Sequence, residues 1–268
     1  FSINVPRYFA VFFNQQKSKV LADREVRKAL SLAVDRQAII HQILSGEGKE
    51  VFSPLPPGTF GYTDDVKKFE FSVEKANEVL ENDGWKKGED GFRKKDNLAL
   101  EFTLVTTDWP DLAETAEMLK QQWEAIGAKV NVESLPVADV QQNYIRPREY
   151  DALLFGQVLG IDPDPYAFWH SSQTRDPGLN LALYSNPSVD KILEKIRQER
   201  DEEKRANYLK EFQQTVTEDL PALFLYSPNY LYVVNKKVEG ITIHSMVTPD
   251  KRFSDVANWY VKTKRVRK

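Results

Sequence analysis

The chain has 268 residues, 41% hydrophobic and 29% charged, which supplies enough apolar side chain for a core and excludes a disordered tail. Its net charge of −3, from 37 basic against 40 acidic residues, argues against a dedicated nucleic-acid binder, which carries a basic excess. There is no cysteine, so disulfides, a thiolate zinc site and a cysteine nucleophile are excluded.

At roughly 150 residues per domain the length suggests about two domains, and one large or discontinuous domain is equally compatible. Phe1-Ser2-Ile3-Asn4 carries no Met, charged n-region or apolar signal core, and reads as the start of a processed chain or of a piece cut from something longer. No transmembrane helix is expected. The most promising uncharged run, Leu220 to Asn235, is broken by Pro221 and Ser227-Pro228-Asn229, and reads as two buried strands.

In chain order, Ala10 to Asn14 is a short apolar run suited to a buried strand. Asp23 caps a helix carrying Val26, Ala29, Leu30 and Ala33 at helical spacing. Asp35 caps a second, with Ile39, Ile40, Ile43 and Leu44 inward and Gly46 as its stop. Val51 to Tyr62 holds three prolines, two glycines and aromatics, and reads as an ordered apolar loop. Ser72 caps a helix over 73–83 closed by Gly84. Gly88 and Asp90-Gly91 signal a hairpin within 85–97. Leu98, Leu100, Phe102 and Leu104 alternate as a half-buried strand. A helix over 111–126, stopped by Gly127, and a strand over 128–135 complete a βαβ unit expected to be parallel and right-handed.

A short helix is predicted over 137–145 and a buried strand over 150–158. Gly160-Ile161-Asp162-Pro163-Asp164-Pro165 then forms a tight loop opening a short helix at Tyr166 to Ser171. Asn186-Pro187 caps the next helix, whose core face is Val189, Ile192, Leu193 and Ile196. A charged helix follows over about 202–218. The fold class is α/β, with a mixed sheet flanked by helices.

Few motifs point to covalent or metal chemistry. Ser72-Val73-Glu74-Lys75 matches a Ser-x-x-Lys pattern without its companion motifs, and a helix cap explains Ser72. His41, His170 and His244 stand singly, without metal-ligand spacing, so no metal or cofactor is expected. Gly46-Glu47-Gly48-Lys49 follows a helix and lacks phosphate-loop spacing. Five positive charges within 262–268 suit a frayed, solvated terminus better than a lipid contact.

The Asp162–Asp164 loop is more informative. It follows a predicted buried strand, and loops at strand carboxyl ends are where open α/β sheets bind ligands. Its prolines stiffen it, and either carboxylate can receive a ligand ammonium, although Asp164 also suits a cap for the helix at Tyr166. Trp109, Tyr166, Phe168, Trp169 and Tyr184 can line a cleft or belong to the core. A hydrolytic enzyme using Asp162 and Asp164 is the alternative, disfavoured because useful acid pairs flank the scissile bond.

The order of motifs resembles the C-terminal part of family 5 extracellular solute-binding proteins, the peptide-, dipeptide- and nickel-binding receptors of ABC importers. The resemblance rests on Phe13-Asn14, then Asp23-Arg24-Glu25-Val26-Arg27-Lys28-Ala29, then Ala33-Val34-Asp35-Arg36-Gln37-Ala38-Ile39. It continues through Ser72-Val73-Glu74-Lys75-Ala76 to Gly84-Trp85, Gly160 to Pro165, and Asn180 with Tyr184-Ser185-Asn186-Pro187 and Asp190. Arg205 and Glu218-Asp219-Leu220-Pro221 complete the series. It implies a periplasmic-binding-protein type II-like lobe: residues 14–220 as the second lobe, and 1–13 with 221–268 as hinge-crossing strands and a partial return to an otherwise absent first lobe.

The implied function is capture of an extracytoplasmic solute, peptide or oligopeptide-like, between two lobes that close about a hinge. The implied partners are the ligand, the remaining first lobe and a membrane ABC permease. The implied location is periplasmic or cell-surface, lipid-anchored in many members. The residues assigned to the ligand are Trp109, Gly160, Ile161, Asp162, Asp164, Tyr166, Trp169, Asn180 and Tyr184. Where peptide-binding members place an aspartate for the peptide ammonium this chain has Ile161, so a sugar, another solute or a signalling role stays open.

Overall fold

The computed structural model describes residues 1–160, 162–243 and 245–263. Six strands form one mixed sheet: β1 (Arg7–Phe13), β2 (Gly48–Glu50), β3 (Glu101–Thr107), β4 (Lys129–Leu135), β5 (Ala152–Val158) and β6 (Ala222–Pro228). Their spatial order is β2-β6-β1-β5-β3-β4. β3 is parallel to both β4 and β5, whereas β1 is antiparallel to its neighbours β5 and β6. The strand–helix–strand unit expected over 98–135 is therefore parallel.

The inner strands are covered on both faces, which explains why they read as continuous apolar runs. Val11, Phe13, Leu104 and Leu154 enter one core, and Tyr8, Phe12, Val105 and Leu153 enter the other. The first core is closed by helices α1 (Lys19–Ala22), α2 (Arg24–Leu32), α3 (Arg36–Gln42), α4 (Val73–Asn82) and α5 (Pro110–Ala125). The second is closed by α6 (Tyr166–Trp169), α7 (Pro187–Gln198) and α8 (Glu202–Asp219). Asp23, Asp35, Ser72 and Asn186 each accept a backbone N–H in the first turn, at 2.9, 2.9, 3.2 and 2.9 Å, so the sequence-assigned caps are real. Gly127, at φ +87°, ends α5 in a conformation that a Cβ disfavours.

Three buried arginines hold the layers together by donating to backbone carbonyls. Arg27 bonds to the ends of α1 and α8, Arg36 reaches Phe224 O in β6 at 2.8 Å, and Arg93 reaches Trp85 O at 2.7 Å and Ile126 O at 2.8 Å. The Val51–Tyr62 loop is ordered against the second core through Val51 and Leu55.

Two sequence expectations shift. First, the boundaries at 13/14 and 220/221 cut through the sheet, because β1 and β6 are inner strands paired with each other. A body outside the main sheet begins beyond them, where Ser2–Ile3 pairs with Tyr230–Leu231 and Val238–Glu239 with Tyr260–Val261. Second, only β6 is a buried strand within 220–235. Leu231 is 57% and Val233 93% exposed, because the chain leaves the core at Pro228. His244 and the basic residues 264–268 lie outside the described residues. Lys262, which precedes them, pairs with Glu239 at 2.7 Å.

Candidate functional site

β3, β5 and β6 run in one direction and end at one edge of the sheet, where antiparallel β1 begins. That edge brings together Arg7, Thr107, Trp109, Gln157 and Val158 from three separate stretches of chain. Two adjoining cavities of about 270 and 430 Å³ share Arg7, Phe9, Trp109 and Leu112 as walls. A wider surface depression of about 600 Å³ runs along Leu231 to Val238. None of its described lining residues carries a buried polar atom without a partner, and the two adjoining cavities are bordered by three such residues.

Those three residues are Arg7, Thr107 and Gln157. Arg7 Nε, Thr107 Oγ1 and Gln157 Nε2 are buried and unbonded. Buried polar atoms are normally paired, so three orphans on one cavity wall mark where an external polar group fits. Tyr8 donates its hydroxyl to Gln157 Oε1, which fixes the amide and leaves its N–H₂ end unbonded. The Arg7 guanidinium enters no ion pair among the described residues. Burial lowers its pKa, while the charges of Tyr226 and Asp111 oppose that shift. Tyr226 forms part of the larger cavity, and burial pushes its phenol up to about 12.

Trp109 is 57% exposed, held at the rim by Pro110 in the first turn of α5, and no side chain caps that turn. Phe9 packs against Gly156: a Cβ there would stand 2.7 Å from the Phe9 ring, so any other residue at 156 would displace the ring. Arrangements of this kind, apolar walls with a few convergent donors at strand carboxyl ends, suit non-covalent capture of a small polar solute.

The residues named from sequence divide sharply. Trp109 lies at this edge, and Gly160 is exposed just past the end of β5. Ile161 lies outside the described residues. Asp162 is not a free carboxylate, because Arg205 of α8 pairs with it. Asp164 is held by Arg197 of α7 at 2.6 Å and accepts the Tyr166 N–H at 3.2 Å, so it acts as a cap and an anchor. Tyr166 is covered on its faces by the Arg197 guanidinium, 3.8 Å from the ring centroid, and by His170, 4.1 Å away.

Three further assignments are corrected. Trp169 is buried against Phe12, Tyr184, Phe212 and Phe224. Asn180 is fully buried, its amide donating to the carbonyls of Trp169, His170 and Tyr184 while Oδ1 accepts the Tyr184 N–H at 3.1 Å. Tyr184 is buried with its hydroxyl on Asp219. All three are spent on holding the 169–184 segment and cannot face a solute. Sequence reading missed Arg7, Thr107 and Gln157. The available signal was a charged residue opening the apolar run RYFAVFF and a polar one inside ALLFGQV. Among the described residues no three His, Cys, Asp or Glu side chains converge on a metal-sized site, and no helix is long and apolar enough to cross a membrane.

Comparison with known proteins gives the same direction. Residues 2–178 match the family described as bacterial extracellular solute-binding proteins, family 5 Middle. The chain is 30% identical over 251 residues to the oligopeptide-binding protein AppA of Bacillus subtilis (strain 168), covering 92% of this chain and 45% of that protein. It is 31% identical over 227 residues to Protein XP55 of Streptomyces lividans, covering 84% and 41%. The chain thus spans about half the length of the curated relatives it matches. Among solved structures, the B. subtilis AppA complex with a nonapeptide superposes with a TM-score of 0.83 at 29% identity, covering 98% of this chain and 52% of that one. NikZ from Campylobacter jejuni in complex with Ni(L-His) does so at 0.81 and 26% identity, covering 98% and 53%. The expected fold class, α/β of the type II periplasmic-binding-protein kind, is borne out by these superpositions.

Proposed function

The chain belongs to the bacterial extracellular solute-binding proteins, family 5, and from that membership we propose that it captures a peptide or oligopeptide-like solute outside the cytoplasm for delivery to an ABC permease. The six-stranded body, with β1 and β6 included, serves as the second lobe of a two-lobe receptor. The other lobe closes over the carboxyl edge of the sheet by hinge motion. The protein works in the periplasm or at the cell surface and binds without turnover.

The observation that carries this reading is the edge itself: exposed Trp109 and the unbonded Arg7, Thr107 and Gln157 around adjoining cavities. The names of the relatives support a peptide as solute. Hydrolysis by Asp162 and Asp164 finds no support, since each acid is engaged by its own arginine. The test is retention. Full-length protein stripped of bound solute by unfolding and refolding is dialysed against a pool of di- to pentapeptides, and what it retains is read by mass spectrometry. Selective retention supports the reading. Retention of a sugar with no peptide in parallel dialyses would overturn it.

A further inference from the structure

The body outside the main sheet has a small core of its own, Ile3, Val5 and Met246, apart from the two cores that flank the sheet. Two stretches of chain join the bodies: residues 4–6, which lead into β1, and residues 228–229, which leave β6. Among the described residues, three side-chain hydrogen bonds link residues 1–4 and 229–263 to the rest of the chain. Glu47, in the turn between α3 and β2, makes two of them. Its carboxylate accepts the Ser2 hydroxyl at 2.6 Å and the Asn229 side-chain amide at 3.4 Å, while its carbonyl accepts the Asn229 backbone N–H at 3.1 Å. The two side-chain bonds hold the Glu47 carboxyl below the usual carboxylate range. Asn4 makes the third, donating to Pro57 O at 2.9 Å in the Val51–Tyr62 loop, while its own carbonyl accepts the Met246 N–H at 3.0 Å. Gly58 permits this approach, since a Cβ there would stand 2.7 Å from the Asn4 amide nitrogen. α3 packs on the first core and the Val51–Tyr62 loop on the second, so the crossing stretches are gripped from both faces of the sheet.

We propose that the Ser2–Glu47 and Asn4–Pro57 bonds form a two-sided latch that holds the lobes in their solute-loaded arrangement, so that affinity is set in part by residues outside the solute cavities. The inference rests on the proposed solute-binding role and goes beyond it. Hinge motion is absorbed by a few residues where the chain crosses between lobes. A hydrogen bond spans only about 2.5–3.2 Å, so a rotation that carries the crossing stretches past the two loops breaks these bonds. They therefore hold one lobe arrangement and are lost in others. The arrangement seen here, outer body included, superposes over 98% of the chain on the nonapeptide-loaded AppA. Free energy that favours the loaded arrangement raises apparent affinity by enlarging the binding-competent fraction. Neither Ser2 nor Asn4 lines the two cavities at the carboxyl edge, so their effect on a solute passes through the hinge.

The test titrates an equimolar tripeptide pool into the full-length wild type, Ser2→Ala, Asn4→Ala, the double variant and Ser2→Thr. Dissociation rates and solute-free melting temperatures are measured alongside. Ser2→Ala and Asn4→Ala should each bind roughly two- to tenfold more weakly, with the loss expressed as faster release. The two losses should multiply in the double variant, because the bonds share no partner. Ser2→Thr keeps the hydroxyl and should bind as the wild type does. A lower melting temperature with unchanged affinity makes the bonds purely structural and overturns the latch. Tighter binding overturns it as well, because the bonds would then favour the open lobes. Either of these results leaves peptide capture standing. Absence of binding by the wild type overturns the peptide reading and the latch with it. Ser2 is exposed, so should Asn4→Ala not fold, Ser2→Ala against Ser2→Thr still decides.

Discussion

Replacing Arg27 by Met removes a buried arginine whose four side-chain hydrogen bonds all go to backbone carbonyls. Its Nε donates to Leu220 O at 2.7 Å, Nη2 to Asp219 O at 2.8 Å, and Nη1 to Leu21 O and Ala22 O at 2.9 Å each. Leu220 is left-handed, at φ 52° and ψ 49°, a conformation costing a non-glycine residue about 1–2 kcal/mol, and Arg27 holds its carbonyl. Met fills similar space and relieves the cost of burying a charge, but it leaves four acceptors. Carbonyls near the surface regain water, and each that stays dry costs about 1–3 kcal/mol. With two left dry, the net loss is about 4 kcal/mol. At ~2–4 °C per kcal/mol for a chain of this size, Tm falls by roughly 8–16 °C. Lys, a point donor, reaches fewer of the four acceptors and falls between. Thermal unfolding followed by circular dichroism reads the shift. A drop under about 2 °C for Arg27→Met would refute the view that this side chain ties α1, α2 and the end of α8 together.

Gly156→Ala pushes the Phe9 ring off β5, and overpacking of this kind costs about 1–3 kcal/mol, so urea denaturation should show a lower midpoint and the solute should bind more weakly. Asp162→Asn and Asp164→Asn each break an exposed ion pair and should change stability by at most about 1 kcal/mol, with little change in solute affinity by calorimetry. Loss of binding in Asp162→Asn would restore that carboxylate to the site. Burial raises the phenol of Tyr226 to about 12 from an ordinary 10.0, and also raises those of Tyr8, Tyr150 and Tyr184. Below pH 10 both folded and unfolded chains keep these phenols neutral and stability is fully present. As pH rises past 10 the unfolded chain ionises first, so stability falls by about 1.4 kcal/mol per pH unit for each such tyrosine. Absorbance at 295 nm should therefore show a late-ionising class of tyrosines that appears together with alkaline unfolding.

Local chemistry made much of the fold legible. The caps at Asp23, Asp35, Ser72 and Asn186, the glycine stop at Gly127 and the parallel β3–α5–β4 unit all follow from residue type and spacing within a few turns. The central pairing of β1 with β6 does not, since it joins residues more than two hundred positions apart. The site shows the same division. Asn180, Trp169 and Tyr184 have the polarity and aromaticity of ligand contacts, yet their bonds go to backbone and core. Arg27 and Arg7 look alike in sequence. One is held by four carbonyls and the other has no ion pair or side-chain hydrogen bond among the described residues, a difference set by which chain segments converge around each.

The most direct measurement is hydrogen–deuterium exchange of the full-length protein with and without a retained peptide. Protection at residues 109–113 and 157–159, where the carboxyl ends of β3 and β5 meet Arg7, is the predicted result. Protection that leaves these segments unchanged while the peptide is bound, and falls instead on the outer faces of α7 and α8, would contradict the placement of the solute at this edge.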